Sequence, residues 1–206
     1  MMRLSHILCL SVLLLAMFPV VEAQRKPVQT AKWKSWETDS ESQFTGRYAN
    51  CDYGFYVLLP KGYLAHGNHS PNPNHGFLIG LPNTGITDLV STDDKRFIWV
   101  NAEYNAYDLT SLNEVTDWQV KISGDGKTNF KVLSRGNTKL SGLPARRVRY
   151  EYDSSNGRVI EEQVITIRAG IFYEIGLRTL ADNYNSDDEQ FLKVLDNFRW
   201  WRIHYC

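Results

Sequence analysis

Ala145-Arg146-Arg147-Val148-Arg149-Tyr150-Glu151-Tyr152, then Val159-Ile160-Glu161-Glu162-Gln163-Val164-Ile165-Thr166-Ile167-Arg168, then Ile171-Phe172-Tyr173-Glu174-Ile175-Gly176-Leu177-Arg178-Thr179 succeed one another with only short polar links between them. Runs this rich in Val, Ile, Tyr and Phe, separated by Gly-containing turns, are consecutive antiparallel strands. Ser154-Ser155-Asn156-Gly157 is the clearest hairpin signal and Ala169-Gly170 the next tight reversal. A four-residue loop at Ser154–Gly157 sets Asp153 opposite Arg158 and Arg149 opposite Glu162, two favourable cross-strand pairs. A two-residue loop of Asn156-Gly157 would oppose Glu151 to Glu162, so the longer loop is expected.

Upstream, Phe130 to Leu133, Arg96 to Tyr104, Gly76 to Leu81 and Gly54 to Leu59 read as further strands, the last stopped by Pro60 and Gly62. Ala65 to His75 is nearly all turn formers and is not expected to continue a strand. Ser111-Leu112-Asn113-Glu114 is a capping box that opens a helix. Its expected apolar stripe is Leu112, Val115, Trp118 and Ile122, and Gly124 is its stop. Ser186-Asp187-Asp188-Glu189 reads as a second capping box, with Phe191, Val194, Leu195 and Phe198 as the buried stripe. Hairpins with segregated helices give an α+β class: a mostly antiparallel sheet of six or seven strands flanked by two principal helices.

The N-terminus carries an address. Arg3 supplies a positive start, Ile7 to Val21 is apolar apart from Ser11 and Pro19, and Val21-Glu22-Ala23 offers a cleavage site. The apolar run is short for a span of about 20 residues, so residues 1–23 read as a cleaved signal peptide. The expected organisation is therefore a signal peptide (1–23), a flexible arm (24–44) and one domain (45–206) in a secreted or periplasmic protein. No later segment reaches transmembrane length. Cys9 leaves with the leader, and the surviving pair, Cys51 and Cys206, is expected to form one disulfide in an oxidising compartment.

The chain has 23 Lys+Arg against 23 Asp+Glu, and stays neutral after cleavage because Arg3 and Glu22 leave together. That balance argues against a nucleic-acid binder, which needs an excess of cations. Hydrophobic residues at 43% and aromatics at 13% exclude a disordered chain.

The second half also resembles a known family. Leu140-Ser141-Gly142-Leu143-Pro144-Ala145 through Tyr152 looks like the "G-x-x-A-x-x-x-x-Y" strand of PsbP-like domains. Gly170 to Thr179, and Val194-Leu195-Asp196-Asn197-Phe198, resemble that family's close. Gly54-Phe55 through Pro60-Lys61-Gly62-Tyr63 resembles its opening, with Tyr63 where Trp is commoner. The group includes photosystem PsbP, Mog proteins and DcrB-type envelope proteins. The resemblance spans about Gly46 to Phe198, rests on structural residues, and implies a PsbP-like fold with protein-binding or assembly roles. On it rests the expected function: a non-enzymatic binding or assembly module of the cell envelope whose partner is an unidentified envelope or secreted protein. The His-rich loop, the Trp33–Trp36 arm and Cys206 depart from the family pattern.

The candidate chemistry is sparse. His66, His69 and His75 gather within ten residues and would suit Zn or Cu if the loop folded back, although a solvated Pro-rich loop explains the same residues. No G-x-S-x-G or H-E-x-x-H motif nominates a catalytic set, and no enzyme activity is expected. Arg146, Arg147 and Arg149 are expected in a solvated ladder neutralised by Glu161 and Glu162. Trp200-Trp201 is the best candidate interaction surface, since adjacent strand residues face opposite ways. A small-ligand pocket between sheet and helix, lined by Trp99 and Trp118, is the remaining alternative.

Overall fold

The computed structural model describes residues 43–67, 75–81, 96–104 and 108–201. The expected signal peptide, most of the arm, His69 and Cys206 lie outside the described residues. In chain order the elements are β1 (Gln43–Phe44), β2 (Arg47–Asn50), β3 (Phe55–Leu58), β4 (Ala65–Gly67), β5 (Gly76–Leu81) and β6 (Arg96–Tyr104). There follow α1 (Leu112–Gly124), β7 (Thr128–Leu140), β8 (Leu143–Ser154), β9 (Gly157–Arg168), β10 (Ile171–Leu180), α2 (Tyr184–Asp196) and β11 (Phe198–Trp200).

The α+β class holds, with antiparallel pairing between neighbouring strands. The main sheet runs β1-β4-β5-β6-β10-β9-β8-β7, so the two-residue β1 adds an eighth strand to the expected six or seven. A second sheet, β11-β3-β2, was not foreseen. It forms because the chain end returns to lie beside β3, with Phe198 opposite Val57 and Trp200 opposite Phe55.

The principal core lies on one face of the main sheet. Phe77, Ile79, Val100, Tyr173, Ile175 and Leu177 meet Tyr48, Phe55, Val57 and Phe198 of the small sheet, and Phe191 and Val194 of α2. Phe55 and Phe198 stack with ring centroids 5.2 Å apart, and neither is accessible. On the opposite face α1 packs over β8 and β9: Val115 clusters with Ile165 and Phe172, and Val120 with Val148, Tyr150 and Val159.

The hairpin register follows the charge pairing, with Asp153 opposite Arg158 and Arg149 opposite Glu162, and the loop ends Ser154 and Gly157 themselves paired. Ala169-Gly170 turns with φ of 51° and 73°, both left-handed, which matches the twist of the flanking strands.

Four expectations are corrected. Phe44, placed at the end of the arm, is buried and pairs with Ala65. Ala65 to Gly67 is a strand despite its turn-forming composition, because β1 and β5 pair with it from both sides. The Ser111 capping box is present, with Glu114 N–H donating to Ser111 Oγ at 3.2 Å and Ser111 N–H to Glu114 Oε2 at 2.9 Å. The buried face of α1, however, is Val115, Thr116, Val120 and Ser123, while Ile122 is 49% exposed. Thr116 buries its hydroxyl by donating to the Leu112 carbonyl at 2.6 Å, so a polar residue takes the place that apolar counting gave to Ile122.

The fourth correction concerns α2, which starts at Tyr184 with Asn183 as N-cap and no side-chain cap bond. Ser186 is therefore inside the helix. Asp187 is wholly buried, accepting from Arg96 Nε at 2.7 Å, from Arg96 Nη2 at 2.5 Å and from Thr179 Oγ1 at 2.5 Å. That bidentate grip ties α2 to the first residue of β6.

Candidate functional site

Side chains alternate along β6, β9 and β10, so Trp99, Gln163 and Glu174 face the α1 side of the main sheet. There they line a cavity of about 320 Å³ with Phe97, Asn101 and Glu161, roofed in part by Gln119 and Ser123 of α1. Glycine makes room for its aromatic wall. A Cβ at Gly176 would stand 2.0 Å from Trp99 Cζ2, so only glycine lets the indole lie on β10.

That placement brings Trp99 Nε1 to Glu174 Oε1, to which it donates at 2.9 Å. Gln119 Nε2 donates to the other oxygen at 3.1 Å. Burial outweighs these bonds and pushes the Glu174 carboxyl up to about 8, with smaller upward contributions from Glu161 and Glu103 and a downward one from Lys127. At neutral pH this carboxyl holds its proton.

Glu161 is furnished differently. It accepts from Tyr150 Oη at 2.6 Å, Tyr152 Oη at 2.5 Å and Lys127 Nζ at 3.1 Å, and Arg178 Nε stands 3.7 Å away. Lys127 also lies 3.9 Å from the Tyr152 ring centre. Burial and the neighbouring Glu161 charge raise the Tyr150 phenol, which stays a hydrogen-bond donor at any ordinary pH.

The expected pocket between sheet and helix thus exists and contains Trp99, but not as expected. Trp118 is turned away, edge-on to Phe172 at 6.3 Å, and the cavity walls are polar rather than apolar. Glu161, Gln163 and Glu174 were missed as site residues. A signal was available for Glu174, an acid in the near-continuous apolar run Ile171–Leu177, where a strand is buried on both faces.

The other candidates are distributed over the fold. Arg147 and Arg149 both bind Glu162, the latter through Nε at 2.7 Å, and Tyr184 Oη donates to the same carboxylate. Glu162 is 1% exposed while both arginines stay part-exposed, so Glu162 neutralises them as expected but from within the fold and not in a fully solvated ladder. Arg146 is held by Asn113 and Asn137. His66 is buried within β4, and His75 Nε2 lies 3.4 Å from Tyr53 Oη. His69, the third of the set, lies outside the described residues, and among those described no group of three metal-ligating side chains occurs. Trp200 packs inward against Tyr173 and Phe198 and donates through Nε1 to the Leu140 carbonyl at 3.2 Å. Trp201 lies edge-on to Tyr56 on the small sheet. No described helix is long and apolar enough to cross a membrane.

The fold so defined, a main antiparallel sheet with one helix on its outer face and a small sheet plus a second helix on its core face, is the PsbP/Mog-type fold. The chain superposes on the cyanobacterial PsbP of Synechocystis sp. PCC 6803 with a TM-score of 0.54 and 16% identity, over 81% of this chain and 97% of that one. LpqN of Mycobacterium tuberculosis, described as involved in cell envelope biogenesis, aligns with a TM-score of 0.51 and 13% identity over 81% and 88% of the two chains. The Ran-binding protein Mog1p of Saccharomyces cerevisiae aligns at 0.50 and 10% identity over 77% and 96%. No protein-family model matches the sequence, and no curated protein is similar to it in sequence. At these identities the likeness defines the fold.

Proposed function

We propose that this chain is an exported, non-enzymatic binding module of the cell envelope, and that the cavity beside α1 is a place where it binds. The observation that carries this reading is the preorganised wall of that cavity. Glu174 is held by Trp99 and Gln119, and Glu161 by Tyr150, Tyr152 and Lys127, so donors from separate elements fix both carboxyl groups before any ligand arrives. Export is supported by the leader-like residues 1–23, and an envelope role is in keeping with what is described for LpqN. Fractionation of the native cells with crosslinking tests the proposal. Gln24 as the mature N-terminus and a defined envelope partner are expected. Cytosolic retention, or hydrolytic turnover abolished by one side-chain change, would overturn it.

The Cys51–Cys206 disulfide belongs to the same proposal. Its support is the direction of the chain end: Trp201 N–H donates to the Gly54 carbonyl at 2.7 Å, so β11 runs antiparallel past β3 toward the turn that holds Cys51. Cys206 follows Trp201 by five residues, enough at about 3.3 Å each to reach that turn.

A further inference from the structure

We infer that the cavity beside α1 takes a small organic cation, a primary ammonium or guanidinium group presented by a free amine or by a Lys or Arg side chain. The inference rests on the reading of this chain as a binding module and names the chemistry that the module recognises.

The first support is the direction of the hydrogen bonds. Tyr150 has one hydroxyl proton and gives it to Glu161 Oε2, so Gln163 Nε2, 2.6 Å from Tyr150 Oη, is the donor in that contact. The same amide nitrogen reaches Ser123 Oγ at 3.2 Å. These two contacts fix the orientation of the amide, and Gln163 Oε1 is left buried without a hydrogen-bond partner in a residue only 2% exposed. Asn101 repeats the pattern: Nδ2 donates to Glu103 Oε1 at 2.7 Å, and Oδ1 is buried and unpartnered. Both residues line the cavity. Buried acceptors without donors are costly, and because both belong to residues of the cavity wall, a ligand rich in N–H groups that reaches them is favoured.

Charge points the same way. Lys127 and Arg178 both gather at Glu161, and Lys127 also acts on Glu174, whose hydrogen-bond donors, Trp99 and Gln119, are both uncharged. The groups that face Glu174 are Glu103 on β6, Glu161 on β9, Tyr150 on β8 and Lys127 after α1, with Trp99 and Gln119 as its donors. Its two donors leave further lone pairs on both oxygens. A cation entering beside it favours the carboxylate, so binding expels the proton that burial retains. Trp99 and Phe97 add aromatic surface suited to cation–π contact. An ammonium offers three donors and no acceptor, which matches the two unpartnered amide oxygens, whereas an anion would meet the Glu161 carboxylate. The volume of about 320 Å³ has room for a group the size of a long side chain.

Titration calorimetry of the mature chain provides the test, with butylammonium and agmatine as cations, butanol and butyrate as neutral and anionic controls, and a lysine tripeptide as the side-chain arm. Both cations are expected to bind at least about tenfold more tightly than butanol, and Glu174→Gln to weaken them by about tenfold or more. Tighter binding of the tripeptide than of butylammonium assigns the cation to a protein partner, and the reverse assigns it to a free amine. If Glu174→Gln does not fold, the indole N–H resonance of Trp99 in the wild-type chain is followed instead, and must shift with cations but not with butanol. Equal binding of butanol and butylammonium, no cation binding at about 10 mM, or an unmoved Trp99 resonance overturns the inference. Export and partner capture are read by fractionation and crosslinking, so either reading can fail while the other stands.

Discussion

Replacing Glu174 by Gln removes the titration at the cavity while keeping the shape of the side chain, and its effect on stability has a defined sign. The folded-state carboxyl titrates near 8, against an ordinary value of 4.5. Between those values the folded chain binds a proton that the unfolded chain has lost, so stability falls as pH rises. The slope is about 1.4 kcal/mol per pH unit and flattens above pH 8, which amounts to about 2.5 kcal/mol between pH 6 and pH 9. The Gln119 amide can turn to meet the new amide, so the variant should lie within about 1 kcal/mol of wild type at pH 6. At pH 9 it should be more stable than wild type by about 2 kcal/mol. Urea denaturation of both chains at pH 6, 7, 8 and 9 reads this directly, because every titration common to the two chains cancels in the difference. Parallel loss of stability in wild type and variant would refute the buried, neutral Glu174.

Other substitutions probe the supports of the fold. Arg96→Ala leaves Asp187 as a buried, uncompensated charge and should lower the unfolding free energy by about 3 kcal/mol, read by denaturant midpoint; a loss below about 1 kcal/mol would contradict the assignment. Gly176→Ala drives a methyl into the Trp99 ring and should cost about 1–3 kcal/mol and alter indole fluorescence. Ala169→Asn relieves a left-handed alanine in a tight turn and should stabilise by up to about 1 kcal/mol in thermal melts. Intact-mass analysis after alkylation should show the thiols of Cys51 and Cys206 only on reduction, and both modified beforehand would sink the disulfide.

The positions of strands β5 to β10 along the chain, and the hairpins joining β8, β9 and β10, were legible because local signals agreed with the global fold. Asp153 and Arg158, for instance, named the β8–β9 register from sequence alone. The failures share a cause, a partner distant in sequence. Asp187 looked like a helix cap because Arg96, its real partner, lies 91 residues away. The second sheet was hidden because β11 must return to β3 from the other end of the chain. Ile122 was expected in the core because apolar counting gives no weight to Thr116 and Ser123, which α1 buries. The cavity was half-foreseen through Trp99, whereas Gln163 and Glu161 alternate along β9 as solvent-facing residues would.

Butylammonium binding measured calorimetrically at pH 7, in two buffers of different ionisation enthalpy, counts the protons exchanged per ligand. With Glu174 protonated in the free chain and ionised beside the cation, close to one proton should be released per bound ligand, and none in Glu174→Gln. Binding without proton release in the wild-type chain would contradict the role assigned to this cavity.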